Sequence, residues 1–313
     1  MTELVEAQPK HWTYRRLVIC ARAAALRMVA DGGLIMAGHL SFVSLLALFP
    51  FIIFLTALAG FLGQTEAGTY FVAFLFERMP EEIAGVLQVP LLEVLQETRG
   101  GLLTIGILLS VWTASSGLEA ARVSLNRAYF AGQRRSVWRT RLESMALVIL
   151  ASICVIASML ALVFGPVIWA ELETYVALPD RLRISWVVVR YLLCTVLIWL
   201  AVSTLYFVLP AARLKPRWVF PGTFIVVLLW LVAATAFSFY VRNFGAFTVT
   251  YGSLAGVILT MLFFYILSVI FIFGAEFNAA FARAEGGLPP PRRRKDDPPP
   301  PPRRRRWRDK GAT

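Results

Sequence analysis

Six long apolar stretches, at 33–62, 102–120, 143–169, 185–209, 219–241 and 252–282, alternate with short polar segments along most of the chain. A helix needs about 20 mainly apolar residues to cross a bilayer core, and each stretch is about that long or longer. None alternates in the two-residue period of a strand, so the pattern predicts an all-α, polytopic membrane protein built as a bundle of six transmembrane helices. The same pattern divides the chain into an amphipathic N-terminal segment (1–32), a six-span membrane domain (33–283) and a Pro/Arg-rich tail (284–313).

Composition agrees. The chain has 313 residues, 58% of them hydrophobic and 16% charged, with a mean hydropathy of +0.68. That is too apolar for an ordinary soluble domain and leaves no room for a separate soluble catalytic one. The basic residues then orient the bundle: 25 of the 31 lie in 1–32, 121–142, 210–218 and 283–313, which share one side if all six stretches span. By the positive-inside rule that side is cytoplasmic, which puts both termini in the cytoplasm. Cys20, Cys154 and Cys194 are isolated and read as small packing residues rather than a disulfide framework or metal site.

Local features refine the picture. Residues 12–30 place Arg15, Arg16 and Arg22 among apolar side chains, as in a helix lying on the inner surface or one that extends the packing of the first span. Pro50 withholds a backbone N–H and predicts a kink near Leu46–Pro50. Between the first two spans, Met79-Pro80-Glu81-Glu82 looks like a helix start, followed by an amphipathic external segment bent at Pro90. Trp169 and Trp186 mark outer span ends, and Trp138 and Trp218 inner ones. Gly252 and Gly256 form a G-x-x-x-G pair suited to close helix packing. The tail, with its runs Pro298–Pro302 and Arg303–Arg306, is expected to be disordered and drawn to anionic inner-leaflet lipid, with no specific nucleic-acid partner. Oligomeric state is not legible.

Ionisable groups inside spans are costly, so they are the first candidates for chemistry. His39, Glu119 and Glu276 reach a similar depth on the cytoplasmic side. Ser115, Glu119, Arg122 and Asn126 share one helix face, and Asn278 stands near Glu276. These seven residues predict a cytoplasm-facing polar cavity, or else a buried network that fixes helix register. No H-E-x-x-H, phosphate-loop or nucleophile-elbow motif occurs, and no cofactor or metal is expected.

Several blocks together resemble the BrkB/YihY family of bacterial inner-membrane proteins, once labelled ribonuclease BN. They are HLSFVSLLALFPFII, SSGLEAARVSLNRAYF, LYFVLPAARLKPRWVFPGTF and YGSLAGVILTMLFFYILSVIFIFGAEFNAAF, in order over about residues 30–283. The resemblance implies six membrane helices, with His39, Asn126, Tyr251, Gly252, Glu276 and Asn278 at motif positions. It also implies a link to envelope integrity and virulence. The expected function is transport or flipping of a lipid or other envelope amphiphile, with a non-transporting envelope scaffold as the alternative and a membrane ribonuclease as a remote one.

Overall fold

The computed structural model describes residues 14–62, 100–131, 136–175, 180–212, 214–243 and 254–288. Among these it is all helical: α1 (Tyr14–Ala30), α2 (Gly33–Leu62), α3 (Gly100–Ala128), α4 (Val137–Tyr175), α5 (Asp180–Val208), α6 (Pro216–Asn243) and α7 (Leu254–Ala284). The external amphipathic segment, Tyr251, Gly252 and the tail from 289 lie outside the described residues.

Among the described residues, length and composition qualify five helices, α2 and α4 to α7, to cross a membrane. The chain is therefore a polytopic membrane protein. Helix α3 is not among the five; Glu119, Arg122 and Arg127 crowd its last ten residues. Helix α2 runs unbroken through Pro50, and at about 1.5 Å per residue α4 extends roughly 58 Å, well beyond a bilayer core.

Helices α2 to α7 form a ring. Each packs on its successor in the chain, and α7 closes the ring by packing on α2. Helix α1 lies against α7 through Arg16, Cys20, Ala24 and Met28, one residue in four, which is the spacing of a single helix face. Small side chains there let α1 sit close to Phe277, Ala280 and Phe281. Its opposite face exposes Val18, Leu26 and Val29 beside Arg15 and Arg22.

The turns at this end are set by backbone chemistry. Gly32 takes φ +69° between α1 and α2, and Gly286 takes the same angle after α7, a conformation that costs a glycine little. After α7 the Gly287 N–H reaches back to the Ala282 carbonyl at 2.8 Å, a Schellman-type cap. Phe130 closes α3 in the same left-handed conformation, φ 53°, without glycine's freedom.

Candidate functional site

The ring frames an open apolar crevice of about 350 Å³ lined from all six of its helices. One wall is cut back by Ser44, Ala47, Ala114, Gly117, Ala121 and Ala151, with Phe51 beside Ala114 at its end, while Trp230, Phe264 and Phe271 supply the bulk from α6 and α7. A methyl group on Gly117 would touch the Ala47 methyl at 3.4 Å, so helices α2 and α3 are close there. The indole N–H of Trp230 is spent on the Leu267 carbonyl at 3.0 Å. Ser44 and Ser268 are the hydroxyls in the lining. One turn nearer the α1 end, Ala37, Leu125, Leu209, Ile272 and Ala275 are buried and shut the crevice on that side.

Two polar clusters lie beyond this plug. The first centres on Arg122, 2% exposed. Its Nη1 donates to the Leu209 carbonyl at 3.0 Å and to Glu143 Oε2 at 3.2 Å. Its Nη2 donates to the Thr140 carbonyl and to Ser144 Oγ, each at 3.0 Å, and its Nε lies 3.4 Å from Glu119 Oε2. Ser144 in turn donates to Glu119 Oε1 at 2.6 Å. Leu209 directly follows α5, so Arg122 supplies a donor to a carbonyl the helix cannot satisfy itself and ties α3, α4 and α5 together.

The second cluster gathers Arg27 and Asp31 from the α1–α2 junction, Tyr129 from the end of α3, and Glu276, Asn278 and Arg283 from α7. Arg283 Nη2 donates to the Ala128 carbonyl at the end of α3, at 3.1 Å. The guanidinium groups of Arg27 and Arg283 lie 5.9 and 5.1 Å from the Phe130 ring centroid. Phe130 thereby offers both cations an aromatic face, which offsets its strained backbone. Glu276 is 2% exposed, and the charges of Asp31, Arg283 and Arg27 reach it. Burial pushes the Tyr129 hydroxyl above its ordinary range; the neighbouring Asn278 amide and Arg283 pull it down and Glu276 adds to the rise. Tyr129 is therefore a neutral hydroxyl. It lies beside Asn278 without the geometry of a hydrogen bond, and Tyr129 Oη, Glu276 Oε2, Asn278 Nδ2, and Arg283 Nε and Nη1 are buried without partners.

The seven polar residues expected to form either a cavity or a register-fixing network are not gathered in one place, and none touches the crevice, which is apolar. Glu119 and Arg122 meet each other, but with Glu143 and Ser144. Ser115 Oγ turns back to the Trp112 carbonyl of its own helix at 2.7 Å. Asn126 Oδ1 accepts from the Ala211 N–H at 2.7 Å, holding the α5–α6 connection. Asn278 Oδ1 accepts from the Gly222 N–H at 2.8 Å, at the turn where Pro221 has no N–H to give. His39 is exposed on the outer face of α2, on the stripe of Ile35, Phe42 and Leu46, and so stands apart from both clusters. Trp218 is buried rather than interfacial, donating to Glu285 at 2.8 Å. Gly256 contributes its carbonyl to Thr260. Among the described residues no group of three His, Cys, Asp or Glu is placed to hold a metal.

A closed ring of apolar helices with its ion pairs gathered at one end defines a polytopic membrane protein. The family model described as virulence factor BrkB matches residues 24–298, and the chain belongs to that family. A ribonuclease-like protein of Bacillus subtilis, YfkH, is 32% identical over 241 residues, covering 77% of this chain and 87% of its own. A UPF0761 membrane protein of Pseudoalteromonas atlantica is 29% identical, covering 79% and 80%. Another, of Alteromonas mediterranea, is 26% identical, covering 82% and 86%. No solved structure matches the chain.

Proposed function

We propose that this protein spans the bacterial inner membrane six times with both termini cytoplasmic, and binds the hydrocarbon part of an envelope amphiphile in the central crevice so as to carry or flip it. The crevice carries the reading. The crevice is open to the surroundings of the bundle and its lining is almost wholly apolar, so it is accessible to hydrocarbon from the bilayer and offers a polar group little. Small residues on one wall keep the volume open where bulkier ones would have closed it, and an acyl chain supplies the apolar contacts that the bare walls lack. The size also falls within the range of ligand pockets. Basic-residue asymmetry supports the orientation, with α3 as the sixth span, and the Arg-rich tail suits anionic lipid.

A non-transporting envelope scaffold is the second reading, favoured by the helix ends that Arg122 and Arg283 pin in place. A nuclease reading has no cluster of carboxylates behind it among the described residues. The test is reconstitution: vesicles with fluorescent phospholipid in both leaflets, assayed by membrane-impermeant quenching. Wild type accelerates exchange and Ala151→Leu, which extends into the crevice from its α4 wall, abolishes it while remaining folded. Equal exchange in protein-free vesicles leaves the scaffold. Gln88→Cys labelled from outside and Lys295→Cys only after permeabilisation checks the orientation.

A further inference from the structure

We propose that Glu276 is a proton-binding site, its carboxyl carrying an exchangeable proton sealed inside the α1 end of the bundle. Four glutamates have described side chains. Glu119, Glu143 and Glu285 each have a guanidinium within 4 Å, at 3.4, 3.2 and 3.5 Å. Glu276, the most buried of them, has no such ion pair among the described residues, and its Oε2 receives no hydrogen bond.

The groups facing it explain why. Arg283, two turns on along α7, is anchored through Nη2 to the Ala128 carbonyl and over the Phe130 ring, a position from which its remaining nitrogens make no ion pair with Glu276. Arg27, across the α1–α2 junction, lies over the same ring. From that junction Asp31 brings a second carboxylate whose charge opposes another negative charge nearby. From α3 comes the neutral hydroxyl of Tyr129. A bare carboxylate in such a setting loses its hydration and gains no donor at Oε2, a penalty of several kcal/mol that taking up a proton avoids. The proton also converts an acceptor-only group into a donor, for which the partnerless Tyr129 hydroxyl is a neutral acceptor. A buried acid between two cations and a second acid, at the end of a membrane bundle, is a place where one proton enters or leaves. This assignment does not depend on what the crevice holds.

The direct test is infrared spectroscopy of the full-length protein in lipid. Wild type gives a protonated-carboxyl carbonyl band that shifts in heavy water and fades as the pH is raised, and Glu276→Gln lacks it. Reaction with the apolar reagent dicyclohexylcarbodiimide, in which the carboxyl adds across one C=N bond with its proton passing to nitrogen, marks Glu276 and slows more than about tenfold as the proton is lost. Glutamine mimics the neutral acid, so Glu276→Gln keeps wild-type thermal stability in neutral buffer, whereas Glu276→Ala does not. The absence of any such band in the wild type, or its survival in Glu276→Gln, overturns the proposal.

Discussion

Replacing Arg122 by methionine keeps the length and apolar stem of the side chain while deleting its donors. The Leu209 and Thr140 carbonyls, each bonded to Arg122 at 3.0 Å, are left without that partner, at about 1–3 kcal/mol for each buried group left unsatisfied. Glu119 and Glu143 lose their shared cation, with side chains only 26% and 21% exposed. Breaking a buried pair from one side costs about 3–5 kcal/mol, and the two estimates overlap near 4. Thermal unfolding in detergent should therefore show a midpoint lower by roughly 10 °C, at about 2–4 °C per kcal/mol for a chain of this size class. Glu143→Gln should cost only about 1 kcal/mol, since Arg139 is its exposed second partner and the amide still accepts. Lysine at 122 should recover less than half, because one ammonium cannot serve acceptors on three helices as the guanidinium fork does. A loss below about 1 kcal/mol for Arg122→Met would refute the view that this residue fastens α3, α4 and α5.

Glycines should separate sharply by position. A methyl on Gly222 would stand 2.2 Å from Asn278 Oδ1, and one on Gly274 would stand 2.1 Å from Val226; alanine at either should cost about 1–3 kcal/mol by overpacking. Gly38→Ala meets nothing within 4 Å and should be neutral or gain up to about 1 kcal/mol of helix propensity, as a melting comparison of the three variants checks. Burial raises the Cys20 thiol above its ordinary 9.0, with Arg16 offsetting part of the rise. Since the thiolate is the nucleophile, maleimide labelling of Cys20 should stay slow through neutral pH, rise only in buffers above that value, and become fast at neutral pH once the protein is unfolded. Rapid labelling of the native protein at neutral pH would mean that α1 does not rest on α7.

The helices were legible because apolar runs of bilayer length leave few alternatives, and Gly32 and Pro216 punctuate them where the chain turns. Which face of a uniformly apolar helix looks inward was not. Helix α2 has almost no polar side to mark its outside, so His39 looked like an interior polar group although it shares the lipid-side stripe of Ile35, Phe42 and Leu46. Common depth brought Glu119 and Glu276 together in the sequence reading, but depth says nothing about position around a ring, and the two belong to different clusters. The i, i+4 pair Arg139–Glu143 was the available hint to the first cluster. For the second, Tyr129, Asp31 and Arg283 each sit just beside a helix end, where periodicity gives out. The crevice was invisible because it is defined by small residues of α2, α3 and α4 set against bulkier ones of α5, α6 and α7, and no single stretch reveals that register.

Photo-crosslinking with a phospholipid bearing a diazirine on its acyl chain, followed by peptide mapping, tests the crevice most directly. The account predicts adducts on Phe51, Leu118, Phe264 and Phe271 in the wild type, lost in Ala151→Leu. Adducts confined to outward residues such as Ile153, Val188 and Leu231, with the crevice unlabelled in both proteins, would contradict it.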